Sequence, residues 1–258
     1  MCIRDSDNIS LAEEDKLLFS RINDMVRLAG KRGSVYSFFL NARECVAAET
    51  ELKRLMYDNY CFYGVFKNAE RKMLCVFKEY FYPENSDFPM TCLTFSYRKG
   101  NVLSHRDFLG AIMSLGLKRE TVGDIVVDDG MAQIAVSYSV KEVIMNDIRK
   151  IGSVGVSIFE QCGTILEKIQ EFKEIKGTVA SLRLDSVLSF ALNMSRSRIS
   201  AIIKGSGVEV NYFTKYDGSY NLSQGDIISV KGFGKYRLEL VSGITKKGRI
   251  HITVFKYC

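Results

Sequence analysis

Apolar positions recur at helical spacing over residues 11–29, where Leu18, Ile22, Met25, Val26 and Ala29 share one face. The run Gly30-Lys31-Arg32-Gly33 interrupts that face and predicts a break. Asn41 followed by Glu44 has the form of a capping box, which predicts a helix from there to about Tyr57. Residues 60–66 are apolar and aromatic and predict a strand, and a further short element covers Glu70 to Tyr80. Together these make a small, mostly helical N-terminal domain, 7–82.

The only two prolines, Pro83 and Pro89, bracket the polar segment Glu84-Asn85-Ser86-Asp87 and mark a boundary. The pattern then changes to a β-α-β-β-α-β rhythm over 90–162. Residues 91–97 alternate as a strand. Ser104, with Asp107 three residues on, predicts a helix to about Leu115. Ile125 and Val127, then Ile134 and Val136, alternate on either side of the turn signal Asp128-Asp129-Gly130. Ser139 with Glu142 predicts a second helix to about Ile151, and Val154 to Phe159 closes the set. This order is that of a ferredoxin-like, RNA-recognition-module-like domain. The order alone assigns no function, and Ile134-Ala135-Val136-Ser137 offers no aromatic platform for stacking bases. His105, in the first turn of its helix, reads as a surface residue.

Residues 164–176 are charged and predict a bridging helix. A third domain, 177–258, follows. Leu184, Val187, Leu188 and Ala191 give the apolar face of one helix, and Ile199, Ile202 and Ile203 that of the next. Asn193-Met194 breaks the two apart, and Gly205 and Gly207 end the second. On that second helix Arg196, Ser200 and Lys204 recur every four residues, on a face away from the isoleucines. A β section begins at Val208, with turns at Asp217-Gly218 and Gln224-Gly225-Asp226, and Gly232-Phe233-Gly234-Lys235 predicts a flexible basic loop. The fold class is therefore α+β in three domains.

Charge singles out the last third. Residues 176–258 hold 13 Lys and Arg against 5 Asp and Glu, a net of +8 within a chain whose total is +6. Such asymmetry is the mark of a module for a polyanion. The second helix opens on Ser195-Arg196-Ser197-Arg198, where the macrodipole disfavours cations unless an anion also sits there. That corner predicts phosphate contact, with nucleic acid as the partner. Seven cysteines occur, none in a C-x-x-C pair, beside two histidines; this predicts reduced buried thiols, no metal and no cofactor. No apolar run reaches the length of a membrane span, and the start has no signal-peptide core, so a cytoplasmic location without membrane contact is expected. Residues 1–6 fit none of the pattern and are set aside as a sequence-assembly remnant.

Arg183-Leu184-Asp185, the Ser195–Arg198 corner, Lys204-Gly205, Val208-x-Val210-Asn211 and Gly225-Asp226-Ile227-Ile228 together resemble the S4-type RNA-binding domain. Phe39 to Glu44, Asn68 to Lys72, and Ser104 to Gly110 through Ile125 are similar to the YlmH-type bacterial proteins, so that the resemblance spans about 15–258. It implies a non-enzymatic RNA-binding protein on the large ribosomal subunit carrying a stalled peptidyl-tRNA. There it would assist tail elongation of the trapped nascent chain, with quality-control factors as partners. A link to cell division is also attached to the family. The RNA-contact residues implied are Arg183, Ser195, Arg196, Ser197, Arg198, Lys204 and Asn211, joined by the basic positions Lys215, Lys231, Lys235 and Arg237. Two features stay open at this level. Arg183 suits either RNA contact or an ion pair with an acidic neighbour, and Tyr212-Phe213 follows Asn211 where S4-type domains often place glycine.

Two other classes are weighed. An RNA-modifying enzyme of the pseudouridine-synthase kind needs its own catalytic domain with an aspartate in Arg-Leu-Asp context, and the single such tripeptide, 183–185, lies in the S4-like segment. No phosphate-binding loop and no nucleotide-binding motif of a synthetase occurs, so neither an enzyme nor a small-molecule substrate is expected. An interaction scaffold in cell division, using the N-terminal two thirds, is the other alternative.

Overall fold

The computed structural model describes residues 13–160, 165–167, 172–246 and 248–257. The chain divides into two compact units, 1–168 and 169–258. It is an α+β protein with antiparallel sheets.

The first unit opens with helix α1 (Glu13–Arg32), strand β1 (Ser34–Leu40) and helix α2 (Ala42–Arg54). Strands β2 (Tyr60–Tyr63) and β3 (Lys72–Phe77) complete a three-stranded sheet of order β1-β3-β2. Helix α1 runs through Gly30 and stops where Gly33 turns to φ 90°, so the break falls at the second glycine of the expected run. Asn41 caps α2 as expected: its Oδ1 accepts from the Glu44 amide at 2.9 Å, and Glu44 Oε2 accepts from the Asn41 amide at 2.6 Å. Helices α1 and α2 close over the sheet through Ile22, Ala29, Ala48, Leu52 and Leu74. At this interface the almost fully buried Glu51 holds Arg54 at 2.7 Å and Asn23 at 2.8 Å.

Strand β4 (Met90–Ser96), helix α3 (His105–Met113), strands β5 (Val122–Asp128) and β6 (Met131–Ser137), and helix α4 (Tyr138–Asp147) follow. A short pair, β7 (Lys150–Ile151) and β8 (Val154–Gly155), precedes β9 (Ser157–Glu160). The sheet order is β5-β6-β4-β9, all antiparallel. Helix α3 starts where read: Asp107 accepts from the Ser104 amide at 2.8 Å and its hydroxyl at 2.7 Å. The N-cap of helix α4 lies two residues before the expected one, at Ser137 and not Ser139, and the helix ends at Asp147 so that Ile151 lies in a strand.

This sheet is buried on both faces. Leu93, Phe95, Ile125, Ile134 and Val136 pack against Phe108 and Ile112 of α3 and Val140 and Ile144 of α4. Cys92, Val126 and Ala135, on the opposite face, share a core with Phe39, Phe66, Met73, Cys75 and Phe88. Gly123 belongs to this close packing, since a Cβ there would lie 2.7 Å from the Phe39 ring. Burial pushes the Cys75 and Cys92 thiols up to about 12. The reactive thiolate is thus absent near neutral pH. Iodoacetamide at pH 7.5 is expected to leave both residues unmodified in the native chain and to alkylate both in denaturant; peptide mass mapping reads the result. Native modification of either would contradict this packing.

The second unit begins with strand β10 (Phe172–Val179), which corrects the bridging helix expected over 164–176. Thr164 and residues 168–171 of that expectation lie outside the described residues, and 165–167 are not helical. Phe172 to Val179 pair along their whole length with β15 (Ile250–Tyr257), and these cross-strand bonds decide the conformation. Helices α5 (Leu184–Ala191) and α6 (Arg196–Ser206) follow, then β11 (Val208–Val210), β12 (Phe213–Lys215), β13 (Ile227–Val230) and β14 (Gly234–Ile244). The six strands order as β10-β15-β14-β13-β11-β12. The segment expected as a flexible loop at 232–235 is a tight β13–β14 hairpin, Val230 pairing with Gly234, with Gly232 at φ 83° and Gly234 at φ 102°. The core lies under the helix pair: Leu184, Leu188, Ile199, Ile203, Ile228 and Leu238 are fully buried. Ile202 is only partly buried, so the isoleucine face points inward through Ile199 and Ile203.

Candidate nucleic-acid interface

The residues that suggest RNA contact all belong to the second unit, and the structure sorts them into three places. The first is the junction of α5 and α6. Asn193, at φ 51°, turns the chain between them, and Ser189 closes the turn through a 2.6 Å bond from its hydroxyl to the Met194 carbonyl. Ser195 is the N-cap of α6, its Oγ accepting from the Arg198 amide at 3.4 Å and lying 3.1 Å from the Ser197 hydroxyl. Ser195, Arg196, Ser197 and Arg198 are all exposed.

Arg183 and Arg196 converge on one carboxylate. Arg183 donates to Asp185 from Nε at 3.2 Å and Nη2 at 3.1 Å, while Arg196 Nη2 lies 3.5 Å from Asp185 Oδ1. Arg183 thus has the acidic neighbour that one of its two readings called for, while its side chain stays 46% exposed. The same carboxylate also gives Arg196 an acidic partner that the dipole argument did not foresee. Asp185 is itself held: its amide donates to the Gly218 carbonyl at 3.0 Å, and the Leu184 amide to the Tyr220 carbonyl at 2.8 Å. The start of α5 is thereby docked on the 217–222 loop. The role of Asp185 was visible only as the third letter of Arg183-Leu184-Asp185. Its second arginine comes from another helix and needs the tertiary fold.

The second place is the β11–β12 hairpin. Asn211 (φ 49°) and Tyr212 (φ 70°) form its two-residue turn. Both take the left-handed conformation, so Tyr212 occupies a position where glycine would be unstrained. Both ends of the Asn211 amide are engaged: Nδ2 donates to Asp226 at 2.8 Å, and Oδ1 accepts from the Ile227 amide at 2.9 Å. The side chain serves as a clasp between hairpin and β13. Lys215, at the end of β12, lies 4.7 Å from the Tyr220 ring centre.

The third place is the β13–β14 hairpin. Lys231 and Lys235 line a cleft of about 500 Å³ with Ser206, Thr214, Ser229 and one acid, Glu209. Lys235 sits between the rings of Tyr257 and Tyr212, 5.0 and 5.3 Å from their centres. Arg237 is ion-paired to Glu239 at 2.6 Å and lies 5.4 Å from the Phe172 ring centre. Lys204, exposed in the last turn of α6, stands on the helix whose C-terminal end reaches this cleft. Interleaved cations and aromatic rings suit stacked bases as well as phosphates. The rings were the missed signal, because Phe172, Tyr212 and Tyr257 are far apart in sequence. Among the described residues, no three His, Cys, Asp or Glu side chains group to hold a metal, and no helix is long and apolar enough to cross a membrane.

Residues 83–164 match the family model described as "Putative RNA-binding domain in YlmH". The Bacillus subtilis (strain 168) protein named ribosome-associated protein quality control protein P2 is 35% identical over 194 residues, 74% of this chain and 76% of that protein. The chain belongs to the YlmH family. The solved structure titled cell division protein ylmH from Streptococcus pneumoniae has the same fold over 61% of this chain and 96% of its own, with a TM-score of 0.53 at 21% identity. The matched RNA-binding model covers the segment in which sequence reasoning found no function.

Proposed function

We propose that this chain is a non-enzymatic, cytoplasmic RNA-binding protein of ribosome-associated quality control. It binds rRNA and peptidyl-tRNA on the large ribosomal subunit and assists elongation of the trapped nascent chain's tail. The observation that carries the reading is the α5–α6 junction, where Arg183 and Arg196 meet at Asp185 and Arg198 stands exposed in the first turn of α6. Arginine forks at a helix start suit phosphate oxygens. The named role of the Bacillus subtilis relative supports the ribosomal setting.

In this reading 177–258 is an S4-type module, and the helix pair followed by a sheet supports that. The strand order β5-β6-β4-β9, with α3 and α4 on one face, supports a ferredoxin-like domain over 90–162. That domain cannot offer its second sheet face to bases while Phe39, Phe66 and Phe88 cover it, so any RNA contact there uses loops or helices. The α1–α2 layer and its sheet, within 13–82, then act as the cover of that face.

Co-sedimentation of the full chain with large ribosomal subunits tests the reading. Pelleting is expected to fall steeply between 50 and 200 mM salt, on the order of tenfold for each phosphate pair released. Absence of pelleting at low salt, or pelleting indifferent to salt, would remove RNA phosphate as the partner.

A further inference from the structure

We propose that a groove in the first unit binds an extended peptide carrying apolar side chains and a single carboxylate. The groove encloses about 820 Å³ and is bordered by α1, β1 and the 3-10 turn Arg119–Thr121. One wall is apolar, formed by Leu17, Leu18, Met25, Leu28 and Phe38. Leu17 is 65% exposed and Phe38 48%, an unusual pairing of large apolar side chains in one concavity.

The other wall holds two part-buried guanidiniums, Arg71 and Arg119. Among the described residues both are bonded to main-chain carbonyls alone. Arg71 donates from Nε to Val122 at 3.0 Å and from Nη2 to Phe39 at 3.2 Å and Arg119 at 3.4 Å. Arg119 donates from Nη1 to the Val122 carbonyl, and to that of Gly123 at 3.4 Å. Neither makes an ion pair among the described residues. The nearby Asp124 carboxylate is spent on the amides of Glu70 and Arg71, at 2.6 and 3.4 Å. Burial pulls both guanidiniums below the usual arginine range, Arg119 to about 10, and repulsion from Arg71 adds to the effect on Arg119. Glu44 and Asp124 pull on Arg71, and Asp124 on Arg119, but burial still prevails at both guanidiniums, so like charges held together here are costly. An incoming carboxylate offsets that cost, and Arg71 Nη1 and Arg119 Nε still have donors to offer it.

The lining indicates one negative charge. Arg21, Arg71, Lys118 and Arg119 face Asp24, Glu44 and Glu120 around the groove, an excess of one positive charge. A polyphosphate would meet those three acids and the apolar wall. A peptide has a further reason to fit. β1 is the edge of its sheet, so one rim of its main chain has no strand partner. Its register slips between Tyr36, opposite Cys75, and Phe39, opposite Met73. Ser37 Oγ accepts the Leu74 amide at 2.9 Å in place of a carbonyl, and the bulge turns Phe38 outward.

Selection of a displayed library of random octapeptides against the full chain tests this, followed by anisotropy of a labelled winner. Enriched sequences are expected to carry one Asp or Glu among apolar residues. Binding is expected to fall about tenfold or more with Arg119→Gln, the scale of a lost charge-assisted bond, and likewise with Leu17→Glu. Leu17→Glu keeps the test decisive if Arg119→Gln fails to fold, because Leu17 lies at the surface. No enrichment over Leu17→Glu, or winners lacking an acid, would overturn the proposal. So would octauridylate that binds the wild type and is lost in Leu17→Glu, since the groove would then be an RNA site.

Discussion

Ile203→Ala is expected to destabilise the C-terminal unit by about 2–5 kcal/mol, the range for emptying a well-packed core position. Ile203 is fully buried beneath α6 among Leu184, Leu188, Ile199 and Ile228. Its Cδ1 faces the 217–222 loop, where a Cβ built on Gly218 would stand 3.5 Å away. The same loop receives the start of α5, so the cavity also loosens the seat of Asp185 and its two arginines. Ile202→Ala, one position away and only part-buried, is expected to cost clearly less. Urea melts of the two variants separate the cases. Equal losses, or a loss below about 1 kcal/mol for Ile203, would show that this helix does not carry the core.

The contrast between Ile202 and Ile203 marks what the sequence could and could not say. The spacing of Ile199, Ile202 and Ile203 places an apolar stripe on the helix, but which of two adjacent positions lies deepest depends on the strands beneath. Features closed within a few residues were legible. The Asn41–Glu44 box, the Asp128-Asp129-Gly130 turn and the strands on either side of it follow from local chemistry. Two long strands were not. Ser34–Leu40 is interrupted by its own bulge at Ser37-Phe38, which spoils the alternation that would announce it. Residues 172–176 read as part of a charged helix because their strand state rests on β15, at the far end of the chain. The candidate site divides the same way. The exposed arginines of α6 were visible as a motif, whereas the Asp185 tether and the rings beside Lys235 and Arg237 arise only from long-range pairing.

That tether sets the expectation for the paired substitution Arg196→Ala with Arg198→Ala. Arginines in a first helical turn oppose the macrodipole by about 0.3–1 kcal/mol each at exposed positions. Taken alone, that predicts a more stable variant. Arg196 also shares Asp185, and an ion pair with an exposed arginine, 55% here, returns about 0–1 kcal/mol. The two terms oppose each other at similar size, and Asp185 keeps Arg183 as a partner in the variant. The melting transition should therefore move little. Affinity should respond strongly. Arg198 makes no ion pair among the described residues, and both side chains stand beside the exposed α6 turn. Losing two charge-assisted contacts to phosphate should weaken ribosome binding by about 1–3 kcal/mol, roughly 5- to 150-fold. Co-sedimentation beside a thermal melt decides it. Wild-type affinity in a folded double variant would take RNA contact away from this corner, and a collapsed melt would instead make the arginines part of the scaffold.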